Sequence, residues 1–295
     1  MIAELLYVYP IVIYIFLALF SLAIGSLLNV IIHRLPLMLQ MEWTSQCRNL
    51  LQLPDETPSK KINLFFPRSF CPQCKNKIPF WHNIPLVSYC FLRGRCATCQ
   101  QSIPFRYPFV EALCLGLSLL AVWHFGFNLT LIFALLFIWL LIVICFIDLQ
   151  HQLIPDSLSL SLLWLGLIAN TQTLFTSLSV AVLSAAGAYL ALWLFIKLFY
   201  LLTGKIGMGQ GDFKLFAAFG AWFGWVQLPF ILLLSSILGA LTGLIYLKAT
   251  RQTRDTPIPF GPFLCLAGLI ALFYGDAIIR WYLNLFILTL PPLRG

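Results

Sequence analysis

Two aspartates in this chain, Asp148 and Asp212, sit at the edges of long apolar runs. Ionisable side chains at membrane depth are costly and mark function by default. Asp148 ends the run IFALLFIWLLIVICFID, and no Lys or Arg follows until well beyond Asp156. The end of a helix is an unfavourable place for a negative charge. Asp212 follows glycines at 207, 209 and 211 and opens the next apolar run. Two carboxylates at one desolvated site can divide the work of hydrolysis. The ionised one takes a proton from water; the protonated one polarises a carbonyl and later protonates the leaving amine. Close like charges do not both ionise easily, so the pair shares a proton. Gly209 and Gly211 let the backbone turn sharply and approach a peptide. Asp212, expected as the first residue of a helix, favours the ionised form and is assigned as base; Asp148 is assigned as acid.

The second constellation is CPQC at 71–74 and CATC at 96–99. Two C-x2-C knuckles about 20 residues apart are the spacing of a four-thiolate zinc site. Cys71, Cys74, Cys96 and Cys99 would fill a tetrahedral ion and leave no position for water, so the expected role is structural. Two disulfides are the competing reading, and a reducing compartment argues against them. Cys47, Cys90, Cys114, Cys145 and Cys265 lack such spacing and are expected to be small buried hydrophobes.

The remaining polar residues each have a plain explanation. Asp156 follows Pro155 before a helix and reads as an N-cap. Glu111, one turn into an apolar run after RYPF, is either a partner of Arg106 or part of the site. Lys214 either supports Asp212 or extends to lipid headgroups. Asp276 is expected near the outer end of the last span. His33, His82 and His151 have no metal spacing among themselves.

These residues must be positioned by membrane helices. Of 295 residues, 61% are hydrophobic and 9% charged, with a mean hydropathy of +0.93. Soluble domains carry about 25% charged residues. Hydropathy predicts about eight spans: 10–32, 108–125, 129–147, 157–174, 178–202, 213–226, 228–247 and 261–279. The span 213–226 is short and is expected to be tilted or buried among its neighbours. The first run is no typical secretory signal, since no basic residue precedes it and its apolar stretch is too long. The fold class is therefore an all-α polytopic membrane protein: a first helix at 1–32, a small metal-stapled domain at 33–107, and a helical core at 108–295. No convincing internal repeat is apparent.

Segment 33–107 holds 10 of the 18 basic residues. The positive-inside rule places it in the cytoplasm, with both termini outside and both aspartates at the cytoplasmic face. The net charge of +8 then reports topology and contact with anionic lipid. Neither a nucleic-acid fold signature nor an aromatic–basic pattern is present, so no nucleic-acid partner is expected.

Six stretches along the chain resemble the type IV prepilin peptidases, within the wider group of GxGD intramembrane aspartic proteases. They are GSLLNVIIHRLP at 25–36, the paired CxxC knuckles, RYPFVE at 106–111, IDLQHQLIPD at 147–156, GQGDFKL at 209–215 and PFGPFL at 259–264. The resemblance implies catalytic roles for Asp148 and Asp212 in a bacterial inner membrane. It implies cleavage of a basic leader from prepilins and type II secretion pseudopilins. It also implies N-methylation of the new terminus with S-adenosylmethionine. No Gly-rich loop after a strand marks a site for that methyl donor. Two other classes compete. A proton-coupled transporter also uses intramembrane carboxylates, though more often near the midplane in broken helices. A metal-stapled assembly scaffold would need neither aspartate.

Overall fold

The structure is a computed structural model describing residues 10–53, 63–71, 73–79, 81, 84–204, 207–250 and 259–289. Lys60 and Lys61, counted above among the basic residues of 33–107, and His82 lie outside the described residues. The described residues form nine helices: α1 Pro10–Leu50, α2 Val87–Phe91, α3 Arg106–Phe125, α4 Leu129–His151, α5 Asp156–Thr171, α6 Leu178–Thr203, α7 Gln210–Phe223, α8 Leu228–Thr250 and α9 Gly261–Thr289. Every expected span corresponds to a helix. Six of them, α1, α3, α4, α6, α8 and α9, are long and apolar enough to cross a membrane. The other two, α5 and α7, have 16 and 14 residues. At 1.5 Å per residue, they reach roughly 24 and 21 Å, short of a core of about 30 Å. The chain divides into two compact units, residues 1–126 and 127–295.

In the first unit, α1 runs unbroken for 41 residues, well beyond the expected boundary at 32. Residues 37–50 contain neither Gly nor Pro, so nothing stops the helix where hydropathy falls. Its buried stripe, Ser21, Gly25, Leu28, Asn29, Ile32 and Pro36, recurs at helical spacing and faces α3. At Gly25 the helices nearly touch: a Cβ there would lie 2.9 Å from the Glu111 Cα. Asn29 Nδ2 donates to the Tyr107 carbonyl at 3.0 Å. The motif at 25–36 is thus the surface on which RYPFVE is seated. Arg34 continues the grip, donating to the carbonyls of Asn63, Leu64 and Pro67 at 2.9, 3.2 and 2.6 Å.

In the second unit, α7 is the central element. From Asp212 to Phe223 all but Lys214 are buried, and the helix packs chiefly against α5 and α6, with α8 and α9 also touching it. A short helix enclosed by longer ones needs no lipid-matched length, which bears out the expectation for 213–226. Trp222 fixes its far end by donating from Nε1 to the Leu162 carbonyl at 2.7 Å. Asn170 completes the lock, donating to the carbonyls of Ala221 and Trp222 at 2.7 and 3.1 Å.

Candidate active site and metal centre

Asp148 lies in the last turn of α4, where Gln152 in a left-handed conformation closes the helix and donates its N–H to the Asp148 carbonyl at 2.9 Å. Asp212 is the third residue of α7, not the first; Gly209 occupies the N-cap position. Its carboxylate reaches back to the Gly209 N–H, the return half of a capping box. Asp148 and Asp212 are only 5% and 8% exposed. They stand close enough to interact electrostatically. One oxygen of Asp212, Oδ1, is buried with no hydrogen-bond partner.

A third segment completes this arrangement. Gly261 opens α9, its N–H is directed at the Asp148 carboxylate, and a Cβ at that position would lie 2.5 Å from Asp148 Oδ2. Ile154, in the link between α4 and α5, fills the space between segments. A Cβ on Gly211 would meet its Cβ at 2.8 Å, and one on Gly261 would meet its Cδ1 at 3.0 Å. Only glycine permits both approaches. The sequence signal for this third segment was the motif at 259–264, whose role no local pattern discloses.

This geometry changes the expected acid–base asymmetry. Asp148 ends one helix but faces the N-terminus of another, so each carboxylate meets a helix N-terminal N–H. The basis for calling Asp212 the base and Asp148 the acid is therefore absent.

Asp156 is the first residue of α5, with Pro155 at the N-cap, and its carboxylate accepts from Lys214 Nζ at 2.6 Å. It is an ion-pair partner rather than a cap, and Lys214 is held by that partner. Glu111 is buried in the first unit and accepts from the Leu86 N–H at 2.9 Å. Cys114 and Cys265 are buried as expected and Cys145 is half-buried, but Cys47 and Cys90 are exposed. Asp276 Oδ1 accepts from Gln227 Nε2 at 2.8 Å.

The four cysteines of the paired knuckles converge. Their sulfurs all lie within 4.8 Å of one another, with Cys71 and Cys99 3.8 Å apart. A tetrahedral ion with M–S bonds of about 2.3 Å requires sulfurs about 3.8 Å apart, so the set fits a metal. The knuckles are also copies of one another, a repeat missed in the sequence. CPQCKNKIPF at 71–80 aligns with CATCQQSIPF at 96–105. In each, the first Cys N–H donates to a carbonyl five residues on (Asn76 at 3.0 Å, Gln101 at 2.8 Å). Equivalent positions Lys75 and Gln100 both take positive φ, 60° and 57°. Each knuckle is closed by a bridge, Phe70 to Lys77 and Arg95 to Ser102. The N–H groups of Cys74 and Gln73 lower the Cys71 thiol below its ordinary range. Those of Cys99 and Thr98 bring Cys96 down to about 6. At Cys99 the Gln101 N–H pulls down, but desolvation and the neighbouring thiols outweigh it and push the group up to about 11.

Six long apolar helices with a buried aspartate pair define the class: a polytopic membrane protein with the groups an aspartic hydrolase needs. Family models agree. Residues 19–125 match the bacterial peptidase A24 N-terminal domain, and residues 135–244 match the type IV leader peptidase family. The chain is 63% identical to a prepilin leader peptidase/N-methyltransferase of Legionella pneumophila, over 96% of this chain and 99% of that one. Proteins of the same name from Pseudomonas aeruginosa and Aeromonas hydrophila are 50% and 49% identical, over 90% and 91% of this chain and 92% and 93% of theirs. No solved structure matches significantly. The chain belongs to the type IV leader peptidase family.

Proposed function

We propose that this chain cleaves the basic leader from type IV prepilins and type II secretion pseudopilins, and N-methylates the residue it frees. The convergence of Asp148, Asp212 and the Gly261 N–H carries the peptidase reading. The dyad holds one proton. The ionised carboxylate activates water, the protonated one polarises the scissile carbonyl, and the proton then passes to the leaving amine. Gly209 leaves the backbone near Asp212 open to an extended peptide, whereas Gly211 admits the close approach of Ile154. Lys214 and Asp156 hold the entry of α7 against that of α5, and so act as positioning residues.

The methyltransferase half rests on the names of the relatives and their near-complete overlap with this chain. S-adenosylmethionine is the donor we propose, supplying an electrophilic methyl group to the new amine. Cys71, Cys74, Cys96 and Cys99 would hold a structural zinc ion that ties the two knuckles together. Glu111 supports the first unit by anchoring Leu86 to α3. We place the protein in the bacterial inner membrane, with lipid around the bundle, the aspartates on the cytoplasmic side and the termini in the periplasm.

Purified protein incubated with a prepilin peptide and S-adenosylmethionine tests both activities at once. The expected masses are those of the leader, the trimmed peptide and its monomethylated form. An uncut peptide would remove the peptidase reading. A proton-coupled transporter is disfavoured because its carboxylates would serve broken helices near the midplane; here they lie at helix ends.

A further inference from the structure

Helix α3 has 20 residues, Arg106 to Phe125, which at 1.5 Å per residue is about 30 Å, the thickness of a hydrocarbon core. It has no turn to spare outside the membrane. Arg106 therefore marks the boundary, and Glu111, five residues on, lies about 8 Å along the helix from it, on the membrane side. A carboxylate at that depth is costly unless it serves a partner. Its partner is the Leu86 N–H, which donates to Oε2 at 2.9 Å. Leu86 immediately precedes α2, so this bond draws α2 down beside the first turns of α3, to the depth of the membrane surface.

What α2 presents at that depth suits lipid. None of its residues is buried. Val87 and Phe91, one turn apart on the same face, are exposed, Phe91 by 84%, and Ile84 just before the helix is exposed as well. Leu86, Ser88, Tyr89 and Leu92 are half-buried in the unit. The backbone is closed on itself. The N–H groups of Ser88, Cys90, Leu92 and Gly94 donate to the carbonyls of Ile84, Leu86, Ser88 and Tyr89 at 3.1, 3.0, 2.9 and 2.9 Å. Pro85 has no N–H to satisfy. A segment touching lipid must settle its backbone groups in this way. Two exposed arginines, Arg93 and Arg95, follow at once.

We propose that α2 is an interfacial helix, with Ile84, Val87 and Phe91 among the acyl chains and Arg93 and Arg95 on the phosphates of anionic headgroups. Its apolar face continues the membrane-facing surface of α3, and its charge is opposite to that of the headgroups. Glu111 is the tether that sets the depth of α2, and with it the height of the knuckles over the bilayer. A water-soluble partner protein would have to cross the headgroups to reach this face.

Full-length protein with benzoylphenylalanine in place of Phe91, in nanodiscs of phosphatidylcholine and phosphatidylglycerol, tests the placement by irradiation and mass spectrometry. The same photoprobe at Leu190, exposed in the middle of α6, is the reference for lipid contact. Position 91 should give phospholipid adducts in comparable yield. Phosphatidylglycerol should be enriched among them about fivefold over its share of the bilayer, the factor expected of one arginine at an anionic surface. Arg93→Gln combined with Arg95→Gln should return the adducts to the bulk ratio. Glu111→Ala should cut the yield at position 91 several-fold and speed exchange of the Leu86 amide. Glu111→Gln, which keeps an acceptor, should do neither. Metal content of each variant reports whether the knuckles remain folded. Lipid adducts at position 190 but none at 91, adducts at 91 to protein instead of lipid, or a yield at 91 unmoved by Glu111→Ala would overturn the placement. Enrichment of phosphatidylglycerol that survives loss of both arginines would overturn their role.

Discussion

Lys214 Nζ lies 2.6 Å from Asp156 Oδ1, joining the start of the second turn of α7 to the first turn of α5. Each partner belongs to a different aspartate motif: Lys214 stands two residues after Asp212, and Asp156 eight after Asp148. The side chains are 24% and 62% exposed, so the pair itself adds little stability, about 0–1 kcal/mol. Its effect is on register. Asp156→Asn and Lys214→Gln should each slow leader cleavage several-fold with little change in melting temperature. The double variant should be no slower than either single one, because both remove the same contact. Additive losses in steady-state cleavage assays would assign the two residues separate roles.

Asp148→Asn and Asp212→Asn should insert and fold normally yet release no leader. Asparagine keeps the size and the acceptor oxygen of aspartate but cannot exchange the proton. Mass spectrometry of a prepilin peptide after prolonged incubation checks this. Cleavage near the rate of the unaltered enzyme by either variant would make these carboxylates structural.

Gly261→Ala should impair cleavage without unfolding the protein. The added methyl would meet Asp148 Oδ2 at 2.5 Å and push the carboxylate or the start of α9 away. A displacement near 1 Å at a reacting group can cost about a hundredfold in rate. Normal cleavage by this variant would show that the α9 entry is not part of the catalytic geometry.

One metal ion per chain is expected, and the duplication makes its loss symmetrical. Replacing Cys71 and Cys74 with Ser, or Cys96 and Cys99 with Ser, should abolish zinc binding to the same extent. Either change should destabilise the first unit, which has little else to join its knuckles. Elemental analysis of freshly purified protein gives the stoichiometry. Full metal content in one pair of variants would mean that the knuckles do not share an ion.

Cys47 and Cys90 are exposed in the first unit and serve as native topology probes. A membrane-impermeant maleimide should leave both unlabelled in intact cells and label them after permeabilisation. Labelling from outside would invert the orientation and place the aspartates on the periplasmic side.

Local sequence determined much of this protein. Apolar runs located every helix but the five-residue α2, because burying backbone in lipid demands internal hydrogen bonds. Thiol spacing named the four metal-ligand candidates because a C-x2-C turn presents both sulfurs to one ion. Asp148 and Asp212 were visible as charges where charge is costly. The end of α1 was not visible, since hydropathy reports the membrane and not the limits of a helix. The knuckle repeat was legible, since 71–80 and 96–105 share both cysteines and the ending Ile-Pro-Phe, and its meaning became plain only in the matching backbone turns. What only tertiary structure decided lies in contacts between distant segments. Gly261 meets Asp148, Lys214 meets Asp156, and Asn29 meets Tyr107 because α1 and α3 cross at Gly25. Each depends on how helices far apart in the chain pack together, and no local pattern of residues encodes that packing by itself.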